Sequence, residues 1–124
     1  MCRQLLTFKF YFTCMNGERS LVCMAESQPG YVIKMVAKPG RGDTLFELAT
    51  KYIKESGASD PWVMCAVPGE PDTMWSLELF KDEGAKSRYE GSEDADKWRD
   101  EILDLLAEPP LRVEVRPRTA SWLK

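Results

Sequence analysis

The chain contains no histidine. That absence excludes Ser–His and Cys–His nucleophile systems, histidine metal sites and proximal-histidine haem ligation. Any proton transfer then falls to carboxylates, lysine, tyrosine or water. The four cysteines, Cys2, Cys14, Cys23 and Cys65, include no C-x-x-C pair, so nothing points to zinc. Three lie in the N-terminal segment and Cys65 in a predicted buried strand. A reduced state and a cytoplasmic location fit this usage. No apolar run approaches the ~20 residues of a membrane span. Phe8-Lys9-Phe10-Tyr11-Phe12 is interrupted by its lysine and lacks a clean small-residue cleavage site after it, which makes it a poor signal peptide. An excess of positive charge is missing too. The 17 Lys and Arg against 20 Asp and Glu leave a net charge of −3, which argues against nucleic acid as a main partner. Arg112, Arg116 and Arg118 form the one loose basic cluster, read as surface charge.

What is present suits one globular domain. At 124 residues with 44% apolar content, the chain can bury a core without a disulfide or metal staple. Residues 1–30 read as an N-terminal extension. Phe8, Phe10, Phe12 and Cys14 alternate with polar partners as in a strand, Asn16-Gly17 is a hairpin signal, and Leu21–Met24 forms the return. A start at Met15 or Met24, leaving a short polar tail, fits the segment equally well.

Residues 31–116 carry the domain. Tyr31–Ala37 is the first strand, broken by Pro39-Gly40-Arg41-Gly42. Asp43 is the expected N-cap of a helix over 43–56, with Leu45, Leu48, Ala49, Tyr52 and Ile53 on its apolar face and Gly57 as its stop. Trp62–Val67 is the second strand. Residues 68–72 form a turn, and Met74–Phe80 the third strand. One face of that strand carries Trp75, Leu77 and Leu79, expected against helices. The other carries Met74, Ser76, Glu78 and Phe80, expected at a pocket or partner. A short helix covers 82–89, stopped by Gly91. Ser92 caps the next helix, whose buried face is Ala95, Trp98, Ile102, Leu105 and Leu106, and Pro109-Pro110 ends it. Leu111, Val113 and Val115 alternate in the last strand, and residues 117–124 form a C-terminal tail. The fold class is α+β: a ferredoxin-like βαββαβ unit with a four-stranded antiparallel sheet, helices on one face. A homodimer would cover the other face, as a dimeric α+β barrel.

With these elements in order, residues 31–116 resemble the antibiotic biosynthesis monooxygenase family, which includes the quinol monooxygenases. The resemblance rests on Lys38-Pro39-Gly40 after the first strand, the Pro71-Asp72-Thr73 turn, the run Glu78-Leu79-Phe80-Lys81-Asp82-Glu83-Gly84-Ala85 and Pro109-Pro110 before the last strand. Two positions depart from the pattern. Phe80 stands where a tryptophan is frequent, and Tyr89 where the short helix often has histidine. Haem degradation, the work of a histidine-bearing branch, is disfavoured. The resemblance implies a homodimer that oxidises a quinol, anthrone or related polycyclic aromatic with O2 and no cofactor. A non-oxidative cyclase or isomerase of an aromatic precursor, or a non-catalytic dimeric binding domain, would use the same fold.

Within that frame Glu78 is the candidate proton acceptor, since burial would raise its pKa. The bland alternative is a structural carboxylate paired with an arginine. Tyr89 is the candidate hydrogen-bond donor to a substrate oxygen, or simply an aromatic closing the short helix. Lys34 interrupts an apolar strand and either faces the pocket or snorkels at a rim. Phe80, Met74, Met35, Met64 and Trp62 are candidate pocket walls. Trp75 and Trp98 are expected in the helix–sheet core. Arg41-Gly42-Asp43 is explained by a turn and a helix cap.

Overall fold

The computed structural model describes residues 28–122. The expected N-terminal hairpin at Asn16-Gly17 lies outside them. Packing divides the chain into two units, Gly30–Val115 and the flanking segments 1–29 with 116–124. Among the described residues the flanking unit carries no helix or strand, and its Trp122 is exposed.

The central unit runs β1 (Gly30–Val36), α1 (Gly42–Ser56), β2 (Ser59–Val67), β3 (Glu70–Phe80), α2 (Glu83–Glu90), α3 (Glu93–Leu105) and β4 (Leu111–Val115). Its sheet has the order β2-β3-β1-β4 with every neighbouring pair antiparallel. This is the ferredoxin-like arrangement, with the short α2 added before the second main helix. Both hairpin strands are longer than their apolar cores suggest: β2 begins at Ser59, and β3 already begins at Glu70, so only Pro68 and Gly69 remain to turn the chain. Gly69 sits at φ 85°, which a side chain would disfavour.

The start of α1 differs from its expected cap. Asp43 lies inside the first turn, and the N-cap residue, Arg41, makes no side-chain cap bond. The acceptor arrives instead from β3. The Asp72 carboxylate accepts from the Gly42 N–H at 3.0 Å and the Gly40 N–H at 3.2 Å. A Cβ on Gly42 would stand 2.0 Å from the Pro71 carbonyl oxygen, so this close approach requires glycine. The other helix ends follow local signals. Gly57 closes α1 in the left-handed region, Asp82 caps α2, and the Ser92 hydroxyl accepts from the Ala95 N–H at 3.1 Å to cap α3. The end of α3 comes at Leu105, well before Pro109. There Lys38 N–H donates to the Leu105 carbonyl and Ala107 N–H to Val36, locking the helix end to the end of β1.

Register decides which strand faces meet the helices. Met35 opposes Met74, Ile33 opposes Ser76, and Tyr31 opposes Glu78. The core cluster of Met35, Ala37, Leu45, Ala49, Met74, Leu105 and Leu106 therefore lies between this face and helices α1 and α3. The face carrying Ser76 and Glu78 is the one the helices cover, and Trp75 and Leu77 point the other way, reversing the expected assignment. Trp75 is thus not in the helix–sheet core. It is half-buried beside Lys34, whose Nζ sits 5.9 Å from its ring centroid. Cys65, opposite Trp75, is exposed rather than buried. On this open face Val63, Leu111 and Val113 are 46%, 53% and 48% exposed. No helix among the described residues is long and apolar enough to cross a membrane.

Candidate active site

Between the sheet and the helices lies a cavity of about 480 Å³, within the range of small-molecule sites. Its floor is the polar–apolar alternation of the sheet: Tyr31, Ile33 and Met35 from β1, and Ser76, Glu78 and Phe80 from β3. Its roof comes from one face of each helix, with Ala49, Tyr52 and Ile53 from α1, Tyr89 and Glu90 from α2, and Trp98 and Ile102 from α3. The apolar spacing along α1 and α3 puts these residues inward.

Aromatic rings form a continuous wall. Tyr31 meets Phe80 edge-on at 6.2 Å, Phe80 meets Tyr89 at 5.6 Å, Tyr89 meets Trp98 at 5.7 Å, and Trp98 stacks on Tyr52 at 5.0 Å. Offset and edge contacts at these separations are the favoured geometries for aromatic pairs. Phe80 is fully buried and Trp98 nearly so. The Tyr52 hydroxyl donates to Glu101 and the Tyr31 hydroxyl to Glu90, which holds both rings in place.

Polar groups are few and unevenly paired. Glu78 has no hydrogen-bond partner among the described residues. Burial pushes its carboxyl up from 4.5 to about 7, against the opposing pull of the Arg112 guanidinium. Desolvation wins because the apolar walls strip water from the carboxylate, while Arg112 stands at the exposed rim where solvent screens it. Tyr89 is pushed up to about 12, first by burial and then by the charge of Glu78, so its phenol stays protonated at neutral pH. Tyr31 is raised by burial and by its bond to Glu90.

The structure brings Glu78, Tyr89, Phe80, Met35 and Met64 together around this cavity. It does not bring in the other three candidates. Lys34 opposes Trp75 and shares the open face with Val32, because strand parity turns it away from Ile33 and Met35. Met74 is 1% exposed and belongs to the solid core instead. Trp62 opposes Glu78 across β2 and β3, yet it does not line the cavity. Sequence reasoning missed Arg112. Its pairing opposite Ile33 turns it to the cavity side, and its guanidinium carbon stacks 4.4 Å from the Tyr31 ring centroid. The alternation of Leu111, Arg112 and Val113 held the necessary signal. It was obscured because the apolar residues of β4, not the charged ones, face away from the helices. Ser59, Tyr52 and Trp98 also join the lining, as the earlier start of β2 and the helix faces dictate.

Fold and cavity together define a ferredoxin-like α+β protein with an aromatic-walled, small-molecule-sized pocket. No family model matches the sequence, and no curated protein matches it significantly. Solved structures do match. A protein named as a candidate antibiotic biosynthesis monooxygenase from Chloroflexus aurantiacus J-10-fl superposes with a TM-score of 0.67 at 19% identity, covering 79% of this chain and 100% of its own. A similarly named protein from Nitrosomonas europaea gives 0.65 at 15% identity, covering 73% and 90%. A conserved protein from Methanosarcina mazei Go1 gives 0.67 at 17% identity, covering 77% and 97%. At these identities the likeness establishes the shared fold, that of antibiotic biosynthesis monooxygenase-type structures.

Proposed function

We propose that this chain is a cofactor-independent monooxygenase that oxidises a quinol, anthrone or related polycyclic aromatic with O2. One observation carries the reading: Glu78, without a hydrogen-bond partner among the described residues, is pushed by burial up to about 7 inside an aromatic-walled cavity of about 480 Å³. A base is most effective when its pKa lies near the working pH. The cavity walls offer stacking surfaces to a flat ring system.

In this reading ionised Glu78 removes the acidic proton of the bound substrate. The Tyr89 hydroxyl, protonated at neutral pH, donates a hydrogen bond to the oxyanion that develops. Phe80 and Trp98 hold the ring. The resulting anion is electron-rich enough to reduce O2 itself. For an anthrone the ring CH2 becomes C=O: one oxygen atom of O2 enters the product and the other leaves as water with the two hydrogens. The substrate supplies all four electrons, and no external reductant enters. We further propose a homodimer through the open sheet face, which the exposed Val63, Leu111 and Val113 support.

The experiment is turnover of an anthrone under air, under argon and under ¹⁸O2. The expected result is one ¹⁸O in the product and no turnover under argon. Turnover under argon with unchanged mass overturns the oxidative reading in favour of a cyclase or isomerase. Binding without turnover in all three atmospheres overturns it in favour of a binding domain.

A further inference from the structure

The cavity holds four charged side chains, and three are accounted for. Glu90 accepts from the Tyr31 hydroxyl. Arg99 pairs with Asp96 at 2.6 Å. Glu78 is desolvated and half neutral near pH 7. Arg112 is different. It lines the cavity at an exposed rim position and makes no ion pair or hydrogen bond among the described residues.

Two further features fix it there. The cross-strand pairing with Ile33 turns the side chain to the cavity side of β4, and the guanidinium lies 4.4 Å from the Tyr31 ring centroid. The Tyr31 ring is itself held by Glu90 and flanked by Lys86, whose Nζ is 5.3 Å away and 3.6 Å from Glu114. A guanidinium stacked on a positioned ring has lost much of its rotamer freedom before any ligand arrives. It keeps its N–H donors in one plane.

We propose that Arg112 is the recognition point for a carboxylate on the substrate, so the cavity takes an aromatic acid rather than a neutral aromatic. The ring system lies between the sheet and Trp98, and the carboxylate sits at the rim against the guanidinium. The match is specific in kind. A planar carboxylate accepts two parallel N–H donors from arginine, whereas an amide or ester of the same ring cannot. Glu78 does not occupy the Arg112 guanidinium: the two form no ion pair among the described residues, and burial keeps Glu78 about half protonated near pH 7 and mostly so below it. The proposal deepens the reading of this cavity as an aromatic-binding site. It does not depend on oxygen chemistry.

The test therefore measures binding of an unreactive probe pair, anthraquinone-2-carboxylate and anthraquinone-2-carboxamide, by quenching of tryptophan fluorescence at pH 7 and low salt. The acid is expected to bind the unaltered protein about tenfold or more tighter than the amide, the worth of one charge-assisted hydrogen-bonded pair. Arg112→Gln removes that preference while the amide affinity stays within about threefold. Arg112→Lys, which keeps the charge and loses the planar fork, retains only part of it. Equal affinities for acid and amide in the unaltered protein overturn the proposal, as does failure of both probes to bind. A preference that survives in Arg112→Gln overturns it too. Because the probes are not turned over, these outcomes are independent of whether an anthrone reacts with O2.

Discussion

Replacing Glu78 with glutamine tests the electrostatic core of the site through stability alone. In the unfolded chain this carboxyl titrates at 4.5, and in the fold at about 7. Between those values the folded protein holds a proton that the unfolded chain releases. Stability therefore falls as pH rises across this window: the contribution is complete below 4.5 and is lost as pH passes through 7. The gap of 2.5 pH units, at about 1.36 kcal/mol each, amounts to about 3 kcal/mol. Glutamine is neutral throughout and has no such dependence. Urea unfolding followed by tryptophan fluorescence, at half-unit steps from pH 4 to 8.5, gives both curves. Subtracting the variant's curve cancels every other titrating group. The difference is expected to be flat near pH 4 and to shift by about 3 kcal/mol, against the unaltered protein, by pH 8. A flat difference would refute the reasoning. So would one of opposite slope, which would mean that Arg112 holds Glu78 as an ion pair and that its pKa is depressed. On the proposed chemistry the same substitution lowers kcat by about a hundredfold or more.

The remaining expectations concern separate links. Tyr89→Phe keeps the ring against Phe80 and Trp98 and removes only the hydroxyl, so the melting temperature stays put while kcat for an anthrone falls about tenfold to a hundredfold; an unchanged kcat would remove Tyr89 from the mechanism. Asp72→Ala strips the acceptor from the Gly40 and Gly42 N–H groups and is expected to cost about 1–2 kcal/mol in urea unfolding, whereas Asp43→Ala, which makes no cap bond, costs far less. Val113→Asp on the open sheet face is expected to convert a dimer to monomer in sedimentation velocity without unfolding it; an unaltered protein that already sediments as a monomer would refute the proposed dimer.

Local rules served well wherever an element depends on its own residues. The apolar spacing of α1 and α3, the stop at Gly57 and the cap at Ser92 all follow from short-range chemistry, and the structure repeats them. They failed wherever a partner from elsewhere in the chain intervened. Asp43 looked like the cap of α1, but Asp72, thirty residues away, supplies the acceptor. Lys34, which interrupts an apolar strand, was open between the pocket and a solvent rim. Alternation alone shows that Lys34 opposes Ile33 in facing, but not which of the two meets the helices.

That choice separates what the sequence by itself determined from what only the tertiary structure decided. The linear chain determined the order of strands and helices, the identity of each amphipathic stripe and, through its missing histidine, the class of acid–base groups available. Glu78 stood out locally, as a carboxylate on the mixed face of the third strand, whereas Phe80 and Tyr89 were singled out by the resemblance, at the positions where the family often carries tryptophan and histidine. The packing of α1 and α3 onto one face decided the rest. It put Ser76 and Glu78 beneath the helices, left Trp75 and Cys65 on the open side, and turned Arg112 from an apparent surface charge into the rim of the cavity. The physical reason is that a strand offers two faces of equal geometry. Which one is desolvated, and so which carboxyl is driven up to about 7, depends on segments far away in sequence.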